Sequence, residues 1–140
     1  MTYKMVVLKG GPPIVSEDYA AAAVITPGDI VELTSSGTVQ RNSDDAANVA
    51  FTVALERDEM GKDIDDNYAV GDTVKVGSCK PGDHVNAFIP SGQNVSVGDY
   101  LTTDAVGSLT KTSVSATVRI ARALDAVNAT AKTRIRVEVV

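Results

Sequence analysis

The chain contains one cysteine and one histidine, Cys79 and His84, and only four residues separate them. A thiol beside an imidazole can act as a nucleophile activated by a base. The surrounding sequence supplies no recognisable nucleophile elbow, orienting acid or oxyanion donor. We therefore interpret His84 as a turn residue and Cys79 as a small buried hydrophobe. We expect no catalytic residues, and we expect the pair to be dispensable for function.

Three oxygen-bearing residues, Asp63, Asp65 and Asn67, have the spacing that opens a calcium-binding loop. The sixth position of such a loop requires glycine and is Tyr68, and the twelfth requires glutamate and is Val74. We interpret these acids as part of a solvated surface loop and expect no metal site. No segment matches the glycine-rich loop that cradles phosphates, and we expect no cofactor.

The composition restricts the classes of partner. The net charge of −5 argues against nucleic acid, which needs a basic face. No run approaches the roughly 18 apolar residues of a membrane span. Residues 1–110 hold 16 acids and 7 bases, whereas residues 111–140 hold 2 acids and 6 bases. These regions could attract one another, within the chain or between subunits, or they could simply be solvated.

Glycine followed by aspartate occurs four times, each time before an alternating apolar pattern. Glycine provides the positive φ of a tight turn, and aspartate can hydrogen-bond the backbone just beyond it. An apolar residue at every second position is typical of a strand with one buried face. The pattern predicts turns that begin strands at Gly28-Asp29, Gly71-Asp72, Gly82-Asp83 and Gly98-Asp99.

Two of these turns belong to a longer internal repeat. Gly28-Asp29 and Gly98-Asp99 lie 70 positions apart, and each is followed nine residues after its glycine by another glycine, Gly37 or Gly107. Further along, Val53-Ala54-Leu55-Glu56 corresponds to Arg122-Ala123-Leu124-Asp125 at an offset of 69. The spacing predicts two related turn-strand units within one domain.

The period-2 pattern predicts an all-β fold, with at most one or two short helices. A core with two Phe, four Tyr and no Trp must be thin and aliphatic, as in a small barrel or sandwich that packs against copies of itself. The predicted strands are 29–34, 37–40, 49–56, 72–77, 84–89, 99–102, 108–111, 117–124 and 133–139.

Residues 1–26 differ from the rest and are expected to form an extended arm beside a β-barrel-like domain over 27–140. Ser16 could cap a short helical stretch from Glu17 to Ala23. Gly10-Gly11-Pro12-Pro13 cannot continue a sheet or a helix. That break separates an apolar tip with no obvious partner, which we expect to add a strand to a neighbouring subunit or partner protein. The tip is Met5, Val6, Val7 and Leu8.

Both repeat units resemble tailed-bacteriophage capsid decoration proteins, also called cement or head-stabilising proteins. The resemblance covers roughly residues 27–125. Its motifs are Pro27-Gly28-Asp29-Ile30-Val31, the Gly37 turn, Val53-Ala54-Leu55-Glu56, Val97-Gly98-Asp99-Tyr100-Leu101 and Arg122-Ala123-Leu124-Asp125.

The resemblance implies a compact β-barrel-like domain, the "β-tulip", that forms a homo-oligomer, usually a trimer. It implies a structural protein on the outer capsid surface of the virion, where it would clamp neighbouring subunits of the major capsid protein. The arm over 1–26 and the acidic loop over 56–67 depart from the family pattern. The resemblance therefore does not define the exact docking geometry of this chain.

Two other classes of function stay open. One is a small β-clip or barrel module that binds a ligand or a carbohydrate, because Gly-Asp-x-Val turns also occur in lipoyl-type and sugar-binding domains. Lys80 is the nearest candidate for a modifiable lysine at a hairpin tip. The other class is a trimeric hydrolase with its site between subunits. A nucleotide-binding motif would support it, and the sequence has none.

Overall fold

The computed structural model describes residues 5–9, 14–15, 18–43, 50–57, 60–112 and 118–140. Within these residues the chain folds almost entirely into β structure, with about 1% helix. The prediction of an all-β fold is therefore confirmed. The described residues contain no helix with the length and apolar character needed to cross a membrane.

Fifteen strands lie in the described residues. The first eight are β1 (Val7–Lys9), β2 (Ile14–Val15), β3 (Tyr19–Ala20), β4 (Val31–Leu33), β5 (Val39–Arg41), β6 (Thr52–Ala54), β7 (Thr73–Val74) and β8 (Val76–Ser78). The others are β9 (His84–Ile89), β10 (Asn94–Val95), β11 (Tyr100–Thr103), β12 (Leu109–Thr112), β13 (Ala121–Ala123), β14 (Val127–Asn128) and β15 (Thr133–Val139).

The largest sheet has six antiparallel strands in the order β1-β9-β15-β13-β11-β12. Its central pair, β9 and β15, has the predicted bounds 84–89 and 133–139. Along β15 the residues Ile135, Val137 and Val139 are buried and alternate with half-buried charged residues. The alternation in the sequence therefore corresponds to one buried face and one partly solvated face.

The first half of the chain builds a smaller version of this arrangement. Three strands pair in the order β2-β8-β6, and β4 pairs with β5 as a hairpin. A single bridge between Ile30 and Val53 joins the hairpin to β6. We call residues 14–79 unit 1 and residues 80–140 unit 2.

The pairing register of the two units repeats with the offset seen in the sequence. In the first hairpin Val31 faces Arg41, and in the second Leu101 faces Lys111, with both offsets equal to 70. The bridge between Ile30 and Val53 likewise corresponds to the pairing of Tyr100 with Arg122. The glycine spacing therefore reflects a repeated hydrogen-bonding framework.

Two hydrophobic clusters form the interior. The smaller one lies within unit 1 and contains Ile25, Val31, Val39, Ala54 and Val76 among its buried residues. The larger cluster contains the unit 2 counterparts of most of these residues. It also contains buried side chains from the first half of the chain, namely Val6, Ile30, Phe51, Val53, Leu55 and Ile64. The two units therefore share one core.

The structure corrects the expectation that the apolar tip adds a strand to a neighbouring subunit or partner protein, because β1 pairs within its own chain. Val6 is 0% exposed and belongs to the larger cluster, while β1 pairs with β9 at the edge of the six-stranded sheet. Residues within 19–25, also assigned to the arm by the sequence, belong to the smaller cluster of unit 1, in which Ala21 and Ile25 are buried. Val6, Ala21 and Ile25 are therefore buried by other residues of the same chain. The sequence did not reveal the partner of β1, because β9 is far from it in sequence but adjacent to it in space.

The suggested helix and the closed barrel are not found in the described residues. The described part of the suggested helix over 17–23 is not helical, because Tyr19 and Ala20 form β3 and pair with β7. Glu17 lies outside the described residues. The sheets in the described part of the chain do not close into a barrel.

Candidate functional site

The four Gly-Asp sequences form the same turn. Each glycine has a positive φ, with values of 101°, 88°, 97° and 91° in chain order, which suits the third position of a type II turn. In each turn the aspartate Oδ2 accepts a hydrogen bond from the backbone N–H three residues earlier. The bonds are Thr26 to Asp29 (2.8 Å), Ala69 to Asp72 (2.8 Å), Lys80 to Asp83 (3.0 Å) and Ser96 to Asp99 (2.8 Å).

This geometry corrects one detail of the prediction. We expected each aspartate to bond the backbone beyond it, but the carboxylate reaches back across the turn. The aspartate N–H also donates to the carbonyl of the same earlier residue, for example from Asp99 to Ser96 at 3.1 Å. Each aspartate therefore closes its own turn, and the following strand starts in a defined direction.

The carboxylate of the Gly28-Asp29 turn has additional, cationic partners. The Asp29 side chain is 0% exposed and accepts hydrogen bonds from Arg41 Nε at 2.9 Å and from Lys132 Nζ at 2.8 Å. The cations Lys132 and Arg134 both lie 4.5 Å from the centre of the Phe88 ring. Since Lys132 belongs to unit 2, this cluster of charges joins the two units.

Arg134 provides a second connection between the units. Its guanidinium donates to the carbonyl of Pro27 at 3.1 and 3.2 Å and to Asp65 Oδ1 at 3.0 Å. It also donates to the carbonyl of Ile64. The acidic loop is thus held against unit 2 through its backbone and one carboxylate.

Asp99, the counterpart of Asp29, has a less buried environment. Its carboxylate lies 3.3 Å from Lys111 Nζ, and Lys111 is the counterpart of Arg41. The hydrogen bond from the Ser96 N–H, helped by Lys111, lowers the pKa of Asp99 below its usual value. In the same unit, hydrogen bonds from Arg136 lower the pKa of Asp125.

Cys79 and His84 have separate environments in the structure. Burial, with a smaller contribution from the charge of Asp83, raises the pKa of the Cys79 thiol to about 12. His84 Nε2 lies 3.3 Å from Glu138, which also accepts a 2.6 Å hydrogen bond from Arg122. A thiol with this pKa is almost entirely protonated near neutral pH, so Cys79 lacks the thiolate of a nucleophile.

The acids with calcium-loop spacing bond to the protein. Asp63 Oδ1 accepts from the Asp65 N–H at 2.8 Å, and Asp65 Oδ1 accepts from Arg134 at 3.0 Å. Over the described ranges, no three His, Cys, Asp or Glu side chains are grouped as a metal would require.

The apolar residues of the predicted tip differ in exposure. Val6 is buried, and its N–H donates to Glu56 at 3.0 Å. Met5 is 51% exposed, and Val7 and Leu8 are half-buried. Of these four residues, Met5 presents the most surface to a partner.

The two hairpin tips differ in exposure, and sequence reasoning missed this difference. We call residues 33–38 the unit 1 tip and residues 103–108 the unit 2 tip. Leu33 is 59% exposed, whereas its counterpart Thr103 is 1% exposed. A methyl group at Gly107 would lie 3.1 Å from the Arg41 side chain, whereas one at Gly37 would meet nothing within 4 Å. The glycine spacing predicts both tips, but only the tertiary structure distinguishes them.

A shallow cavity of about 230 Å³ lies beside the unit 1 tip. Its lining includes Tyr19, Val31, Leu33, Val39 and Val76. The cavity is therefore a mainly apolar groove beside Leu33 of the unit 1 tip.

Comparison with known proteins adds no relative. A scan of protein-family models and a search of curated proteins both return no match to the chain.

Proposed function

We propose that the protein is a structural protein that binds the outer surface of an icosahedral bacteriophage capsid and stabilises it by clamping neighbouring subunits of the major capsid protein. It acts as a homo-oligomer, a trimer in the form that the resemblance implies. Its location is the virion, at the outer capsid surface.

One observation carries this proposal. The residues with the family resemblance build the same framework of turn, hairpin and return strand twice, with matching register at an offset of 70. The repeated aspartate turns keep loops short and direct the strands. A compact molecule of this kind suits a clamp that acts only by binding neighbouring subunits in a fixed geometry.

The barrel-like β-tulip is part of the same proposal. Two single-residue bridges support it in unit 1, one between Ile30 and Val53 and one between Ala21 and Val39. They connect the β4–β5 hairpin to β6 on one side and to the end of β3 on the other. These contacts bring the edges of unit 1 towards each other.

A clamp stabilises a shell by binding assembled subunits and not dissociated ones. An oligomer of the proposed kind makes several equivalent contacts, so that modest affinity at each contact gives strong attachment. The exposed Met5 side chain is the proposed contact at the N-terminal segment.

The test mixes purified protein with undecorated capsid shells and with dissociated capsid subunits. We expect saturable density on the outside of the shells by electron microscopy, and a higher temperature of shell disruption. Met5→Asp should weaken attachment, whereas Val70→Asp, at a position 67% exposed, serves as a matched control. Shells that stay bare and melt unchanged would refute the proposal. Sugar binding without shell binding would favour the ligand-binding module instead.

A further inference from the structure

Part of the unit 2 tip is buried, and backbone hydrogen bonds join it to unit 1. Ile30 N–H donates to the Gly107 carbonyl at 2.8 Å, and Gly107 N–H donates to the Asn42 carbonyl at 3.2 Å. The Asn42 side chain donates to the Asp104 carbonyl at 2.8 Å. We call Ile30, Arg41 and Asn42, at the opposite end of the first hairpin, the unit 1 base. The unit 2 tip therefore docks on the unit 1 base.

This contact is directional, because the tip of one unit meets the base of the other. Within the described residues, this arrangement leaves one tip and one base that do not meet a partner from the other unit. At one end is the unit 1 tip, with exposed Leu33 and the open space around Gly37. At the other end is the unit 2 base, which consists of Tyr100, Lys111 and Thr112, the counterparts of Ile30, Arg41 and Asn42 at an offset of 70.

The two unused surfaces have compatible chemistry. Tyr100 is half-buried, and the guanidinium of Arg119 lies 5.0 Å from the centre of its ring. The side chain of Lys111 is 51% exposed. Tyrosine and arginine are enriched at the energetic centres of protein interfaces. The groove beside Leu33 offers an apolar site for such a ring.

The distribution of charge favours the same pairing. Unit 1 contains 13 acidic and 4 basic residues, whereas unit 2 contains 5 acidic and 7 basic residues. Unit 1 of one molecule therefore attracts unit 2 of another, while like units repel. Opposite fields steer association and select the orientation of the partners.

We propose that the unit 1 tip docks on the unit 2 base of a second copy of this chain, in the orientation of the contact that joins the units within one. The Gly37 N–H donates to the Thr34 carbonyl at 3.1 Å, so the contact between copies lacks the counterpart of the bond from Gly107 to Asn42. The glycine at position 37 lets the Lys111 stem of the second copy approach the backbone, as Arg41 approaches Gly107. Because each copy has one tip and one base, the association is heterologous and gives a ring or an open filament. The inference does not depend on binding to a capsid.

The experiment uses two variants that each remove one surface. Leu33→Asp removes the tip surface, and Tyr100→Glu removes the base surface. Sedimentation velocity over a concentration series should show self-association of the natural chain. Each variant alone should associate at least tenfold more weakly. An equimolar mixture should form a 1:1 dimer, because each variant supplies the surface that the other lacks.

Matched variants separate this contact from general effects. Val70→Asp makes the same change at an exposed valine and should associate like the natural chain. Tyr100→Ile installs the side chain found at Ile30 and should also associate. Thr112→Glu replaces Tyr100→Glu if the latter is shown by circular dichroism to be unfolded. A natural chain that stays monomeric, or a mixture of the two variants that stays monomeric, would overturn the proposal.

Discussion

At the residue scale, Asp29 and Asp99 occupy the same position in the same turn, yet their surroundings differ. Both close the turn through a backbone hydrogen bond of 2.8 Å. Asp29 is fully buried between Arg41 and Lys132, whereas Asp99 is partly exposed beside Lys111. A buried carboxylate depends on its cations far more than an exposed one does.

Replacing Asp29 by asparagine should therefore be costly. Asparagine keeps an acceptor for the turn but removes the charge between two cations. We expect Asp29→Asn to lower the free energy of unfolding by about 2 kcal/mol, less than for a fully buried pair because the Arg41 and Lys132 side chains are 38% and 32% exposed. Asp99→Asn, the matched control, should cost about 1 kcal/mol or less. Urea unfolding of both variants measures the difference, and equal losses would contradict this account.

The Cys79 thiol should react very slowly in the folded protein. With its pKa raised from 9.0 to about 12, the thiolate fraction at pH 8 falls roughly a thousandfold. A disulfide reagent should therefore label native Cys79 far more slowly than Cys79 in the chain unfolded by urea. Labelling at the same rate in both states would show that the thiol is exposed.

At the element scale, β1 shows how a strand can belong to a sheet distant in sequence. Val7 pairs with Val85, and Val6 enters the core shared by the two units. The strand is therefore held by packing as well as by hydrogen bonds. Removing it should affect stability, contrary to what an independent arm would predict.

Val6→Ala should lower the free energy of unfolding by about 1–3 kcal/mol, because it deletes two buried methyl groups and leaves a cavity. Met5→Ala, at a side chain 51% exposed, should change it by less than about 0.5 kcal/mol. Thermal and urea unfolding compare the two neighbours directly. A neutral Val6→Ala would mean that β1 is not held in the core in solution.

The elements that local patterns define are those that the sequence predicts best. The alternation over 133–139 gives the bounds of β15, and the Gly-Asp turns place the starts of four strands to within two residues. The spacing of Gly37 and Gly107 predicts two hairpins of equal register. The burial of Val6 and the different exposure of Leu33 and Thr103 depend on partners far along the chain, so no local pattern reveals them.

At the scale of the whole molecule, the two units are copies in register but not independent bodies. The larger cluster combines Ile30, Val53 and Leu55 with the core of unit 2. Contacts through Lys132 and Arg134 add polar links between them. The larger cluster, which both units share, couples their unfolding.

We therefore expect one calorimetric transition for the full chain, with calorimetric and van't Hoff enthalpies that agree. A fragment of residues 80–140 should be unfolded by circular dichroism, because it lacks Val6, Ile30 and Val53 from its core. Adding a fragment of residues 1–79 in equimolar amount should restore β structure. A fragment of 80–140 that melts cooperatively alone would show two separate domains.

The pairing of β1 with β9 also has a consequence for the order of events during synthesis. A ribosome adds about 5–20 residues per second, so it needs roughly 4–16 s to add the residues between Val7 and Val85. Over that time β1 lacks the strand with which it pairs in the six-stranded sheet. Synthesis thus separates the two partners of this pair by several seconds.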